Sequence, residues 1–232
     1  MSQVLITILS RKDSKGCPGK HTKLMNGKPL IQWTMERAVK WVRGQVIVSS
    51  DDPAVHRLSE KMAIPWIWQE PPPTDLTPKV PAIRHTLYEA ERIYGRSFDE
   101  IVDLDATAPL RTVRHIEEAY QLRRTLDVSC VMSVVHDHGS WNCLKRSLRG
   151  LRRVVSLPSG TDTRQEAPEW LRANASIYVY KRKFLIRKNV VSPMNGWVEP
   201  YVMPDWTGYD VNSESDFELV EFIMKRKLLL NA

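Results

Sequence analysis

The chain has 232 residues, 42% of them hydrophobic and 26% charged, with a formal net charge of +7. That length and mixture suit a single domain, residues 1–232, that buries a core, and they exclude a disordered or low-complexity chain. No apolar run reaches the roughly 18 residues of a membrane helix, and no basic stretch precedes the apolar N-terminal residues, so neither a membrane partner nor a secretory leader is expected.

Val4 to Leu9 is a short apolar run rich in β-branched residues, the pattern of a buried strand. A loop from Ser10 to Lys23 follows, and Asn26-Gly27 then predicts a tight turn, because both residues tolerate positive φ. From Leu30 to Val42, the residues Ile31, Met35, Ala38 and Val42 recur at helical spacing. Gln45 to Ser49 reads as a second strand, and Asp51-Asp52-Pro53 as the capped start of a helix with Val55, Leu58 and Met62 inward. Ile64 to Trp68 is a third strand. A proline-dense loop from Pro71 to Pro81 leads into a helix carrying Ile83, Leu87, Ala90 and Tyr94. Glu100 to Leu104 is a strand, Thr112 caps a helix with Val113, Ile116 and Tyr120 inward, and Val128 to Val134 is a strand. Residues 136–170 lose this periodicity and read as an inserted arm or lid. Ala175 to Tyr180 resumes as a strand, and a last helix runs from Glu214 to Leu228, with Ser213 and Asp216 resembling a capping box. There is no internal repeat.

Strands alternating with amphipathic helices predict an α/β fold, a mostly parallel sheet flanked by helices. Such sheets bind ligands beyond the carboxyl ends of their strands, which directs attention to the loops after Leu9, Ser49 and Leu104. The first of these carries Arg11, Lys12, Lys15 and Lys20 against Asp13 alone, with Gly16 and Gly19 between them. Cations together with glycines, whose backbone N–H groups approach a ligand closely, suit a phosphate cradle. The spacing is not that of a Walker P-loop. The basic excess elsewhere is spread along the chain without a nucleic-acid-binding motif, so no nucleic-acid partner is expected. Three cysteines, Cys17, Cys130 and Cys143, lie far apart with no CxxC pair, which favours a reducing compartment, the cytoplasm, and no structural zinc.

The segments LSRKDSKGCPGK, NGKPLIQWTMERA, VIVSSDD, LDATAPLRT, RANASIYVY and GYDVNSESDFEL occur in this order over most of the chain. This set resembles the CMP-sialic acid synthetase family, the acylneuraminate cytidylyltransferases. The resemblance implies a Rossmann-like nucleotidyltransferase fold with residues 136–170 as a dimerisation arm, hence a homodimer. It also implies an enzyme that joins CTP to an acidic 2-keto-3-deoxy sugar, releasing pyrophosphate with Mg²⁺ as cofactor. Carried over residue by residue, it makes Arg11, Ser14, Lys15, Lys20 and His21 nucleotide-binding. Arg11, Lys15 and Arg172 become catalytic, Asp105, Arg172 and Asn174 sugar-binding, and Asp210 and Asn212 metal ligands, with Asp103 and Asp105 as possible helpers.

Four departures accompany the likeness. His21 stands where the family often has asparagine, and Asn212 replaces the second aspartate of the late motif. Asp105 occupies the place of a glutamine that faces the sugar, so the group it meets should be a hydrogen-bond donor. The stretch Asp75-Leu76-Thr77-Pro78-Lys79 replaces a serine-rich base-selecting loop. These leave open a different sugar nucleotidyltransferase, one for 3-deoxy-manno-octulosonate or with another base, and a nucleotide-binding homologue without turnover. Net charge alone also leaves a nucleic-acid-binding module. Outside these motifs, Arg111 either orients its loop or meets an acidic substrate. His136 and His138 read as polar loop residues, His85 and His115 as facing solvent or the sheet edge, and Trp141, Trp170 and Trp197 as candidates to line a sugar pocket.

Overall fold

The computed structural model describes residues 3–69, 78–139, 143–147, 150–153 and 169–230. The apolar runs become strands and the 3.6-residue patterns helices. In chain order they are β1 (Val4–Ser10), β2 (Leu24–Met25), β3 (Lys28–Pro29), α1 (Leu30–Lys40), β4 (Gln45–Ser50), α2 (Pro53–Lys61), β5 (Trp66–Trp68), α3 (Lys79–Tyr94) and β6 (Glu100–Leu104). Then follow α4 (Val113–Leu126), β7 (Cys130–His136), β8 (Leu144–Ser147), β9 (Gly150–Arg153), β10 (Leu171–Lys181), α5 (Arg182–Leu185), β11 (Val198–Val202) and α6 (Glu214–Leu230).

The main sheet has seven strands in the order β11-β7-β10-β6-β1-β4-β5. All its pairings are parallel except those of β10, which runs antiparallel to both β6 and β7. The carboxyl ends of the parallel strands and the start of β10 therefore share one rim, where a ligand belongs in such a sheet. Both faces are covered, as parallel strands require. Ile31, Met35, Val55, Ile116 and Tyr120 from α1, α2 and α4 bury one face, and Val80, Ile83, Leu87, Phe184 and Leu185 from α3 and α5 bury the other. A third cluster, with Cys17, Leu110, Val211 and Phe217, lies where α6 closes over the loop after β1. No helix among the described residues is long and apolar enough to cross a membrane.

Several local rules hold at the element ends. Asn26 (φ 48°) and Gly27 (φ 81°) turn the β2–β3 hairpin. Asp52 caps α2 by accepting from the Ala54 N–H at 2.8 Å, with Pro53 opening the helix. Ser213 and Asp216 exchange hydrogen bonds at the start of α6. Thr112 caps α4, but its reciprocal partner is His115, whose Nδ1 accepts from the Thr112 N–H. His115 is consequently buried rather than turned to solvent.

Other elements differ from expectation. α1 stops at Lys40, so Trp41 enters the core and Val42 is left 89% exposed. α3 begins at Lys79, before Pro81, because a proline in the first turn gives up an N–H that has no partner there anyway. β10 starts at Leu171, earlier than the apolar run implies, and β11 escapes the apolar pattern because Glu199 and Pro200 interrupt it. Within the 136–170 arm the described residues are 136–139, 143–147, 150–153 and 169–170, and β8 pairs with β9 in a separate two-stranded sheet. Trp141 and most of the proline loop lie outside the described residues, and Trp197 is 66% exposed.

β10 carries a bulge: its register against β7 shifts between Ala173 and Tyr178, and Ala175 sits at φ 52°. Asn174, 1% exposed, pins the bulge. Its Oδ1 accepts from Ser133 Oγ at 2.6 Å, and its Nδ2 donates to Thr207 Oγ1 at 3.3 Å. Asn174→Ala leaves those buried groups without partners and is expected to cost about 1–3 kcal/mol in urea unfolding. A loss below about 0.5 kcal/mol, the level of an ordinary surface change, would show that the bulge does not depend on this side chain.

Candidate active site

Three rim loops interlock around one residue, Val211. The loop after β1 sends Lys20 inward, where its Nζ donates to the Val211 carbonyl at 2.6 Å. The Val211 N–H donates to the Thr107 carbonyl at 2.9 Å, in the turn after β6. Gly16 completes the lock by close approach, since a Cβ there would lie 2.1 Å from the Asn212 carbonyl oxygen. The sequence-predicted cradle and the late Asp210-Val211-Asn212 motif, about 190 positions apart, thus meet at the mouth of the sheet.

Within the cradle, Ser14, Lys20 and His21 are buried, Arg11 is half-buried and Lys15 is exposed. Burial pulls the Lys20 ammonium below its usual range, against the charges of Asp105 and Asp210, which favour it. Burial, aided by the charge of Lys20, also lowers the His21 pKa to about 4, so the ring is neutral at physiological pH. Its Nδ1 lies 3.0 Å from the Arg11 carbonyl and must therefore carry the proton that is donated. Nε2 is left as an acceptor, able to take a hydrogen bond from a ribose hydroxyl or a base amine.

A charged knot sits under the β6 end of the rim. Asp103, fully buried on β6, accepts from Thr7 Oγ1 at 2.8 Å, and its Oδ2 lies 2.8 Å from Lys79 Nζ. Lys79 Nζ is also 2.8 Å from Asp105 Oδ2 and 5.0 Å from the centre of the Tyr178 ring. Asp105 Oδ1 accepts from the Thr107 N–H at 2.9 Å and from its hydroxyl at 2.8 Å. Burial would raise the Asp105 pKa, but Lys79 and the Thr107 donors outweigh it and hold the carboxyl well below its usual range. The donor that Asp105 calls for is therefore found inside the protein. Asp103 and Asp105 are engaged by an ammonium in the place where a helper role in metal binding would have needed them open.

Arg111 is wholly buried and orients its loop rather than meeting solvent. It donates to Ser176 Oγ at 3.0 Å, to Thr34 Oγ1 at 2.8 Å and to the Asp105 carbonyl. Burial pulls its pKa down to about 9, which still leaves it charged at neutral pH. Together these bonds tie α1, β10 and the turn after β6.

The remaining candidates divide. Asp210 is half-buried, and its Oδ2 accepts from Asn212 Nδ2 at 2.9 Å. Burial pushes the Asp210 carboxyl up; the Asn212 amide opposes this and the charge of Asp105 adds to it. Arg172, near the start of β10, has its side chain 48% exposed, with Nε 3.9 Å from Asp137 and Nη2 close over Gly208. It stands on the rim beside the β7 end. Asn174, expected at the sugar, turns inward and supports the strand that carries Arg172. His136 Nδ1 lies 3.0 Å from Glu169 Oε1 and His138 Nε2 3.2 Å from Asp205 Oδ2, and no group of three or more metal-binding side chains occurs among the described residues. Sequence reasoning placed Lys79 only within the stretch that replaces the base-selecting loop and gave no role to Thr107. The signal for Lys79 was a cation at the first position of a helix, where the backbone dipole disfavours it.

Residues 5–189 match the family model described as cytidylyltransferase. The post-translational flagellin modification protein B of Campylobacter coli is 30% identical, over 99% of this chain and 98% of that one. The CMP-N,N'-diacetyllegionaminic acid synthase of Campylobacter jejuni is 29% identical, over 99% of this chain and 98% of its own. Among solved structures, a CMP:2-keto-3-deoxy-manno-octonic acid synthetase complexed with CTP superposes with a TM-score of 0.72 at 19% identity. That match covers 97% of this chain and 100% of the other.

Two outcomes test this geometry. Because the His21 pKa is depressed from 6.5 to about 4, its stabilising effect is complete above pH 6.5 and is lost as pH falls towards 4. Relative to His21→Asn, the wild-type protein should lose on the order of 3 kcal/mol of unfolding free energy across that window. Equal pH slopes for the two proteins would refute the buried neutral ring. Gly16→Ala must push Asn212 away and should cost about 1–3 kcal/mol, read as a lower melting temperature together with weaker nucleotide binding.

Proposed function

Because this chain belongs to the cytidylyltransferase family, we propose that it couples CTP to a sialic-acid-like 2-keto-3-deoxy sugar acid, giving a CMP-sugar and pyrophosphate. The observation that supports this most is the junction of the Arg11–His21 loop with the Asp210 loop at Val211, at the carboxyl ends of a parallel sheet. The anomeric hydroxyl of the sugar attacks the α-phosphorus in line; the new P–O bond forms as the bond to pyrophosphate breaks, and the hydroxyl proton passes to water. Catalysis here is positioning and charge neutralisation, without a covalent enzyme intermediate.

Arg11 and Lys15 neutralise the charge that builds on the leaving pyrophosphate. Ser14, Lys20 and the neutral His21 hold the nucleotide. Arg172, a forked cation on the sugar side of the rim, takes the sugar carboxylate, and Asn174 keeps its strand in place. Asp105 acts at the sugar through Lys79 and the turn it holds. The Asp210 carboxylate and the Asn212 amide oxygen fit a magnesium ion, which commonly takes one or two protein oxygens and completes its shell with phosphates and water. A carboxyl whose pKa burial has raised gains from a cation, as Asp210 would. When bound, Mg²⁺ supplies Lewis-acid neutralisation of phosphate oxygens.

The 136–170 arm, with its β8–β9 hairpin, is proposed to pair two subunits. The exposed Met194 and Trp197, just before the edge strand β11, supply apolar surface at that edge of the sheet. The free cysteines are consistent with a cytoplasmic enzyme.

Incubation with CTP, Mg²⁺ and a panel of 2-keto-3-deoxy sugar acids should yield a CMP-sugar by mass, with CTP preferred to UTP and ATP and with no product after chelation. Lys15→Ala and Arg11→Ala should each lower kcat about 100-fold or more. CTP binding without turnover of any sugar acid would favour a non-catalytic homologue, for which Asn212 is the specific motive.

A further inference from the structure

Lys79 opens α3, and the first turn of that helix holds no acidic residue. A cation at a helix N-terminus is unfavourable, so another interaction must hold it there. The interaction is the double contact with Asp103 Oδ2 and Asp105 Oδ2, each 2.8 Å from the same nitrogen. Asp103 has no exposed surface, and the Lys79 side chain keeps 35% of its own. Burial alone would lower the Lys79 pKa, yet the two carboxylates outweigh it and raise it well above the usual lysine range. The ammonium is therefore a fixed charge.

Two carboxylate oxygens converging on one point form a cation site, and hard divalent cations take such oxygens. Without the ammonium the two negative charges would repel at close range. From Asp105 the chain of bonds continues through Thr107, whose N–H and hydroxyl bind Oδ1 and whose carbonyl accepts from Val211. Val211 lies next to Asp210. Asp105 also contributes to the electrostatics of Lys20, His21 and Asp210, so the knot and the nucleotide loop share one field.

We propose that Lys79 is a positioning residue that stands in for a divalent cation. Its ammonium bridges Asp103 and Asp105, fixes the turn from which the Asp210 loop hangs, and leaves Asp210 as the carboxylate that receives the nucleotide-borne metal. This rests on the reading of the rim as a metal-nucleotide site.

The test uses Mn²⁺ as probe, with bound and free ion distinguished by electron paramagnetic resonance, on the full chain without sugar acid. Wild-type protein should hold Mn²⁺ well only when CTP is present. Lys79→Met, verified as folded by circular dichroism and thermal melting, should gain a nucleotide-independent Mn²⁺. Adding Asp103→Asn and Asp105→Asn should abolish that gain. The same Lys79→Met protein should bind Mn²⁺·CTP about tenfold more weakly, as loss of a supporting residue around a metal ligand does. Lys79→Arg should behave as wild type. If Lys79→Met fails to fold, Lys79→Gln, which keeps a donor but no charge, takes its place. A folded Lys79→Met or Lys79→Gln protein that binds no additional Mn²⁺ and holds Mn²⁺·CTP as wild type does would overturn the proposal. A wild-type protein that fails to bind Mn²⁺·CTP would instead overturn the metal-nucleotide reading, while the nucleotide-free gain in the variant is measured independently of it.

Discussion

The site depends on the backbone of Val211. Its carbonyl holds Lys20, its N–H holds the turn after β6, and its fully buried side chain packs with Cys17, Leu110 and Phe217. Three segments far apart in the chain are thereby fixed relative to one another by backbone groups, which no change of side chain at position 211 removes. Gly16 is the steric half of the same constraint, because the Asn212 carbonyl occupies the volume a side chain would need. Lys20 acquires a fixed place beside Asp210 through this junction.

Electrostatics then sort the charged groups by role. Asp103, Asp105, Lys79 and Arg111 are consumed inside the rim, each with several partners, and together they form a rigid floor. Arg172 and Lys15 remain at the surface, and Asp210 stays half-buried with a carboxyl that burial disfavours in its charged form. Floor residues carry the cost of desolvation and keep geometry, while Arg172, Lys15 and Asp210 stand nearer to solvent. Two of the sugar-site candidates, Asp105 and Asn174, belong to the floor.

Much of this was legible because the signals were local. β1, β4 and β6 are buried on both faces, so their apolar runs stand out, and the caps at Asp52, Thr112 and Ser213 rest on spacing alone. The cradle was visible as a cluster of cations and glycines after the first strand. What escaped depends on topology. Lys79 and Asp105 meet only because α3 packs over the strand end that carries Asp105. Asn174 looks like a substrate contact until the loop bearing Thr207 is seen to close on it. β11 carries a proline and a glutamate, tolerable at a sheet edge and invisible to a search for apolar strands. His115 replaces the usual carboxamide or carboxylate of a capping box, so its burial could not be read from a helical pattern.

The antiparallel strand β10 also governs when the molecule can be completed during synthesis. It lies between β6 and β7, which precede it in the chain, and among the described residues it is the strand that links the two parts of the main sheet. Until β10 has left the ribosome, β6 and β7 each present an open edge and β11 has not yet been made. A nascent chain ending before Leu171 thus holds two unjoined fragments whose unpaired backbone groups need protection from wrong pairing. The emergence of β10, rather than of the first strand to form, decides when the rim and its charges come together.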